Sequence, residues 1–74
     1  MSRNLNVIIE KDQHGYFAYC PELDGCYSQW ENIDEALTNI KEAIELYLET
    51  LSDEEKREIV SKEIITTNYE VSIA

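Results

Sequence analysis

The fold of this chain follows first from residues 33–51, which read IDEALTNIKEAIELYLETL. Apolar residues recur in this stretch at steps of three and four, and this period predicts one apolar stripe along an amphipathic helix of about five turns. Asn32, with Glu35 three residues later, marks the helix start, because its side chain can accept a hydrogen bond from the first turn. The apolar stripe consists of Ile33, Ala36, Leu37, Ile40, Ala43, Ile44, Tyr47, Leu48 and Leu51.

Three short strands are predicted before this helix. Residues 5–10 alternate between an apolar and a mixed face, while residues 16–20 and 26–30 are rich in aromatic side chains, which favour strands. Between the first two strands, Gly15 can adopt a positive φ where the chain reverses, and Asp12 can bond its own backbone. The first thirty residues are therefore predicted to form an antiparallel meander.

A second helix and a fourth strand are predicted after the long helix. Ser52 followed by Glu55 repeats the capping pattern and opens a short helix from about Asp53 to Val60. From Glu63 onward, apolar and polar residues alternate almost to the end of the sequence, which is typical of a strand. One face of that strand would carry Ile65, Thr67, Tyr69, Val71 and Ile73.

Together these elements predict a single α+β domain spanning residues 1–74, in the order β-β-β-α-(α)-β. The stripe of the long helix covers one face of the sheet. If the fourth strand lies beside the first, the sheet order is 3-2-1-4, and the helical crossover makes these two strands parallel.

The chain is strongly acidic, with 16 Asp and Glu against 6 Lys and Arg and a formal net charge of −10. Phosphates repel such a chain, so direct binding of nucleic acid is not expected, whereas a basic protein partner would be attracted. Solubility alone explains the charge equally well. No apolar run approaches the ~20 residues needed to span a membrane, and no secretory signal is visible, so we expect a cytoplasmic protein without membrane contact.

Residues that could carry enzymatic chemistry are present but do not form a recognisable set. His14 stands alone in a predicted turn, and Cys20 and Cys26 lack the spacing and number of a structural zinc site, so reduced thiols are expected. Two glycines cannot build a phosphate-binding loop. Glu10, Glu22 and Asp24 could converge on a metal, although a scattered acidic surface is the simpler interpretation. No enzyme activity, metal or cofactor is therefore expected.

Two stretches of the sequence together carry a family resemblance. The first contains Val7-Ile8-Ile9-Glu10, Gly15-Tyr16 and residues 21–26, PELDGC; the second is residues 34–49, DEALTNIKEAIELYLE. In order and spacing, from about residue 5 to residue 50, the chain resembles the HicB family of toxin–antitoxin proteins.

The resemblance implies a partial RNase H-like fold without the catalytic acids of the nuclease. It also implies a function: an antitoxin that binds a small basic HicA-type toxin, which cleaves mRNA, and covers the toxin's RNA-binding and active-site face. Family antitoxins commonly form dimers or larger assemblies, so a homo-oligomer is expected. Longer relatives carry a C-terminal DNA-binding domain, and residues up to Ala74 leave no room for one.

Partner-binding residues are expected on or near the third strand and its entry loop, where acids and aromatics coincide. Tyr27 and Trp30 could equally be ordinary core residues. Two other functions stay open: a solitary self-assembling domain without a toxin, and a minimal RNase H-like metal-dependent nuclease. The candidate binding residues are Glu22, Asp24, Tyr27, Gln29 and Trp30.

Overall fold

The computed structural model describes residues 3–73; Met1, Ser2 and Ala74, and with them both ends of the predicted domain 1–74, lie outside the described residues. The architecture is α+β. The elements are β1 (Ile8–Asp12), β2 (Gly15–Tyr19), β3 (Tyr27–Trp30), α1 (Ile33–Glu49) and α2 (Asp53–Val60). The first three predicted strands and both predicted helices are thus confirmed, although β1 spans residues 8–12 rather than 5–10 and the bounds of β2 and β3 differ by one residue from those predicted.

The three strands form an antiparallel meander with β2 in the centre, paired with β1 on one side and β3 on the other. The turn between β1 and β2 is tighter than predicted, because Lys11, Asp12 and Gly15 belong to the strands and only Gln13 and His14 remain between them. Asp12 Oδ1 accepts a hydrogen bond from the backbone N–H of His14 at 2.7 Å. Gly15 has a φ of +126°, and a Cβ there would stand 2.6 Å from the carbonyl oxygen of Trp30. Glycine is required at this position by both conformation and space.

Helix α1 packs on one face of the sheet, mainly over β2 and β3. Ala18 of β2 and Ala36 of α1 are fully buried, so two small side chains let the helix lie close to the sheet. The hydroxyl of Ser28 donates to the carbonyl oxygen of Ala36 at 2.8 Å, which links β3 to the helix inside this layer. The buried core consists of Ala18, Cys20, Leu23, Cys26, Ala36 and Ile40.

Both predicted helix starts are confirmed. The side chain of Asn32 accepts a hydrogen bond from the backbone N–H of Glu35 at 2.8 Å. At α2 the exchange is reciprocal: Ser52 Oγ accepts from the N–H of Glu55 at 3.1 Å, and Glu55 Oε1 accepts from the N–H of Ser52 at 2.9 Å. These bonds satisfy N–H groups that have no partner within the helix.

The predicted fourth strand is not formed. Residues 62–73 have no strand or helix, and every residue from 65 to 73 is exposed. The described sheet therefore has three strands in the order β1-β2-β3, without the predicted fourth strand beside β1. The physical reason is that alternation shows which side of a strand would be apolar, but a strand also needs the hydrogen bonds of a neighbouring strand, and residues 62–73 pair with none of the three described strands.

Candidate partner-binding surface

The face of the sheet opposite α1 carries no helix, and we call it the open face. Strand alternation and register place two rows of side chains across it, because the helix-facing side is fixed by Ala18 and Ser28. One row runs across the three strands as Ile8, Tyr19 and Tyr27. The next row runs as Glu10, Phe17 and Gln29.

The aromatic side chains of the open face form one cluster. The ring centroid of Phe17 lies 5.6 Å from that of Tyr19 and 5.4 Å from that of Tyr27, with the rings tilted against each other. These distances are typical of stabilising aromatic pairs. Tyr27 keeps 58% of its surface exposed, so the cluster stabilises the sheet and also presents an aromatic surface to solvent.

A shallow cavity of about 510 Å³ lies between this cluster and the loop from β2 to β3. Glu10 borders it from β1, Tyr27 from β3 and Asp24 from the loop. Glu10 and Asp24 are both exposed. Exposed aromatic rings beside carboxylates suit a basic protein surface, because the rings supply contact area and cation–π partners while the acids attract Lys and Arg.

Glu22, one of the candidate binding residues, points into the protein rather than toward this surface. Only 8% of it is exposed. Its Oε2 accepts hydrogen bonds from the backbone N–H of Asn6 at 3.0 Å and from Asn6 Nδ2 at 3.0 Å. The carboxylate thus ties the segment before β1 to the β2–β3 loop, and it is not available to a partner in this structure.

Trp30 lies away from the open face. It follows Ser28 by two residues in β3, so it shares the helix-side face of the sheet, and it stands opposite Tyr16 at the end of the sheet. Its side chain is 42% exposed there. Of the five candidates, the structure therefore brings together Asp24, Tyr27 and Gln29 on or beside the open face, and it separates Glu22 and Trp30 from them.

Ile8, Glu10, Phe17 and Tyr19 belong to the open face but are absent from the candidates chosen by sequence. The alternation of side chains along β2 could have predicted the positions of Phe17 and Tyr19. The small residue Ala18 lies between Phe17 and Tyr19, so both aromatic rings must share the face opposite to it.

The buried thiols and the single histidine do not combine into a reactive set. Cys20 and Cys26 are unbridged and buried, and burial raises the pKa of both thiols, which keeps them protonated and poorly nucleophilic. A weak bond joins Cys20 Sγ to Glu22 Oε1 at 3.8 Å. His14 lies in the exposed turn at the far end of β1. Within residues 3–73, no three His, Cys, Asp or Glu side chains converge as metal ligands would.

Fold and surface together define a small acidic α+β domain, in which the described residues form a three-stranded sheet with a helix on one face and no helix on the other. The family model for the HicB-like antitoxins of bacterial toxin–antitoxin systems matches residues 5–72. The chain belongs to this family, and the resemblance seen in the sequence is confirmed.

Similar proteins occur in distant organisms. A UPF0150 protein of Helicobacter pylori is 47% identical over 70 residues, covering 95% of this chain and 97% of that protein. A UPF0150 protein of Archaeoglobus fulgidus is 40% identical over 60 residues, with 80% and 87% covered. One from Synechocystis is 53% identical over 49 residues, with 65% and 62% covered. No solved structure matches the chain significantly.

Neither helix of the described part of the chain has the length and apolarity that a membrane crossing requires. The same part of the chain leaves no buried side-chain nitrogen or oxygen without a hydrogen-bond partner. The buried polar groups, Glu22 and Ser28 among them, are thus accounted for by the fold.

Proposed function

We propose that this chain is an antitoxin that neutralises a small basic HicA-type toxin in the cytoplasm by laying its open face over the toxin's RNA-binding and active-site surface. Membership of the antitoxin family implies a toxin partner. The observation that carries the choice of surface is the aromatic cluster of Phe17, Tyr19 and Tyr27 flanked by the exposed acids Glu10 and Asp24.

The outer face of α1 is a competing acidic surface, and it differs from the open face in one respect. It carries Asp34, Glu35, Glu42, Glu45 and Glu49, all exposed, but no aromatic ring lies among them. Interfaces depend on large aromatic anchors more than on rim charges, because charges exposed to water contribute mainly to the rate of encounter. We therefore assign α1 to steering and the open face to contact.

The five candidate residues take different parts in this proposal. Asp24, Tyr27 and Gln29 contact the toxin, together with Glu10 and Phe17 of the same face. Glu22 supports the surface from behind, because its carboxylate holds Asn6 and with it the approach to β1. Trp30, on the helix side, packs at the end of the sheet.

The test is binding of purified wild-type and variant chains to a small basic HicA-type toxin, measured by calorimetry. Tyr27→Ala removes an exposed ring and is expected to weaken binding by about tenfold or more, as central aromatic anchors do. Asp24→Lys is expected to weaken binding further as salt is lowered, since the reversed charge then repels a basic partner.

Glu42→Lys on the outer face of α1 is the matched control, because it makes the same charge change at an exposed position away from the open face. It is expected to change mainly the association rate. If Glu42→Lys weakens the complex more than Asp24→Lys and Tyr27→Ala do, the helix is the binding surface and the assignment is wrong. If no variant changes the affinity, neither acidic face binds the toxin.

One observation keeps the nuclease alternative testable: Glu10 and Asp24 border the same cavity. A metal-dependent nuclease would cleave RNA or an RNA–DNA hybrid when Mg²⁺ or Mn²⁺ is added, and Glu10→Ala or Asp24→Ala would abolish the cleavage. Under the antitoxin proposal the purified chain cleaves nothing, and the same two variants lose affinity for the toxin instead.

A further inference from the structure

Residues 63–73, which we call the arm, combine a strand-like sequence with exposure of every residue except the half-buried Ile64. Apolar side chains alternate with polar ones along it, and Ile65, Tyr69, Val71 and Ile73 are 78%, 86%, 60% and 87% exposed. Large apolar residues scattered singly on a surface are ordinary, but a regular row of them along one segment is not. The family match extends to residue 72 and therefore includes the arm.

The arm begins beside the sheet and is not folded back onto it. Lys62 Nζ lies 3.5 Å from the carbonyl oxygen of Pro21, which fixes the start of the arm near the end of β2. The radius of gyration is 14.5 Å, whereas a compact chain of this length has about 11 Å. The described chain extends over 49 Å in its longest direction. The arm therefore lengthens the molecule and does not contribute to the buried core.

A vacant position for a strand exists at β1. β1 pairs with β2 on one side only, so its outer edge has unpaired backbone groups. An apolar groove of about 270 Å³ lies between α1, α2 and the segment that leads into β1. The groove is lined by Arg3, Leu5, Leu48, Lys56, Ile59 and Val60.

We propose that the arm of one chain adds as a fourth strand to the β1 edge of a second copy, and that the second copy returns its own arm in the same way. The apolar face of the arm, with Ile65, Tyr69, Val71 and Ile73, lies over the groove. Its polar face, with Thr66, Asn68, Glu70 and Ser72, continues the open face. Each copy then has a four-stranded sheet, with the fourth strand supplied by its partner.

Charge and symmetry favour a second copy over the basic toxin as the occupant of this edge. The arm has only two charged residues, Glu63 and Glu70, and therefore offers little to a basic surface. By alternation, Glu63 shares the apolar side of the arm, which faces a groove that carries Arg3 and Lys56. Within one chain, the donor strand and the acceptor edge are both unfilled. In a twofold pair of chains, each arm pairs with the β1 edge of the other chain, as in other dimers that exchange a segment.

Hydrogen exchange of the wild-type chain at two chain concentrations tests the proposal without any variant. Arm amides paired to a second copy are expected to be protected at high concentration and to lose protection on dilution. Protection that does not change with concentration would mean that the arm closes onto its own β1, and absence of protection at both concentrations would mean that it stays free. Either result overturns the proposal.

Light scattering after size exclusion gives the second readout. We expect a mass near twice the 8.6 kDa of one chain. Replacing Ile65 and Tyr69 by Asn is expected to raise the dimer dissociation constant by about 100-fold, since both residues lose apolar burial at two sites. Replacing Thr66 and Ser72 by Asn, on the polar face of the arm, is the matched control and is expected to leave the dimer intact. A monomeric wild type, or a dimer unaffected by Ile65→Asn with Tyr69→Asn, contradicts arm exchange.

Discussion

Strand β2 and the arm both have strand-like sequences, but only β2 is paired in a sheet. The aromatic residues of β2 favour a strand, and the arm alternates apolar and polar residues over a longer stretch. Yet β2 is paired on both edges and Ala18 at its centre is fully buried, while residues 65–73 are exposed throughout. A strand-like sequence thus does not determine which edge the strand pairs with or which surface covers it.

β2 is paired and the arm is not because their pairing partners lie at very different distances along the sequence. β2 is joined to β1 by a two-residue turn and to β3 by a short loop, so its partners are close at little cost in loop entropy. The arm is separated from β1 by the whole of β2, β3 and both helices. Its pairing depends on a distant edge, which a second copy can supply as readily as the same chain.

The largest expected contrast comes from the same substitution in the core that covers β2 and in the arm. Ile40→Ala removes a fully buried side chain of α1 and is expected to lower the free energy of unfolding by about 2–5 kcal/mol. Ile73→Ala, in the arm, is expected to change it by less than about 0.5 kcal/mol in the monomer, because that side chain packs against nothing there. Urea unfolding at a chain concentration low enough to give monomers measures both. Equal losses would mean that the arm belongs to the packed core.

The turn that holds β2 in place gives the next effect. Gly15→Ala is expected to lower the free energy of unfolding by about 1–3 kcal/mol, because a Cβ would meet the carbonyl oxygen of Trp30 and φ is positive. Gly25→Ala is the control, with a φ of +76° but open space around its Cβ. Its expected loss is about 1 kcal/mol. A larger loss at Gly25 than at Gly15 would show that space at the turn is unimportant.

Glu22→Ala separates support of the sheet from contact with the partner. Losing its bonds to Asn6 is expected to lower the free energy of unfolding by about 1–3 kcal/mol, since hydrogen bonds to a charged group stabilise more than neutral ones. Toxin affinity, measured under conditions where the variant is folded, should change little. Glu42→Ala serves as the exposed control for stability. A variant of normal stability with strongly reduced affinity would place Glu22 in the interface instead.

The smallest effect concerns the start of α2, which leads toward the arm. Bonds from Ser52 lower the pKa of Glu55 below its ordinary value of 4.5. Because the pKa is lower in the folded chain, this contribution is present above the ordinary value and is lost as the pH falls through the folded pKa. Acid titration followed by circular dichroism should show loss of α2 helicity before loss of α1. Ser52→Ala should cost about 1 kcal/mol and remove this difference, and an unchanged titration would contradict the role of the cap.

Sequence was sufficient where local chemistry decides the structure, and insufficient where distant partners do. The period of three and four specified α1, and Asn32 and Ser52 specified where the helices begin. Gly15 and Asp12 specified the first hairpin. The arm shows the limit, because its pattern contains no information about which edge it pairs with.

The candidate site shows the same limit. Tyr27 and Gln29 follow from the alternation of β3, and Trp30 is excluded from their face by the same alternation once Ser28 is known to be buried. The inward turn of Glu22 depends on how the β2–β3 loop folds. That loop is held by backbone hydrogen bonds from the N–H of Leu23 to the carbonyl oxygen of Cys20 and from the N–H of Cys26 to the carbonyl oxygen of Leu23. No repeating pattern in the sequence predicts this geometry.

The central claim is that the open face binds the toxin and the arm binds a second copy, and a single calorimetric comparison tests it. Toxin binding is measured for the chain with Asp24→Lys and Tyr27→Ala and for the chain with Ile65→Asn and Tyr69→Asn. We expect the open-face variant to lose about 100-fold in affinity for the toxin. The arm variant is expected to bind the toxin with an affinity per chain within about twofold of the wild type, because distant sites contribute independently. The reverse result, normal binding by the open-face variant and loss by the arm variant, would contradict the claim.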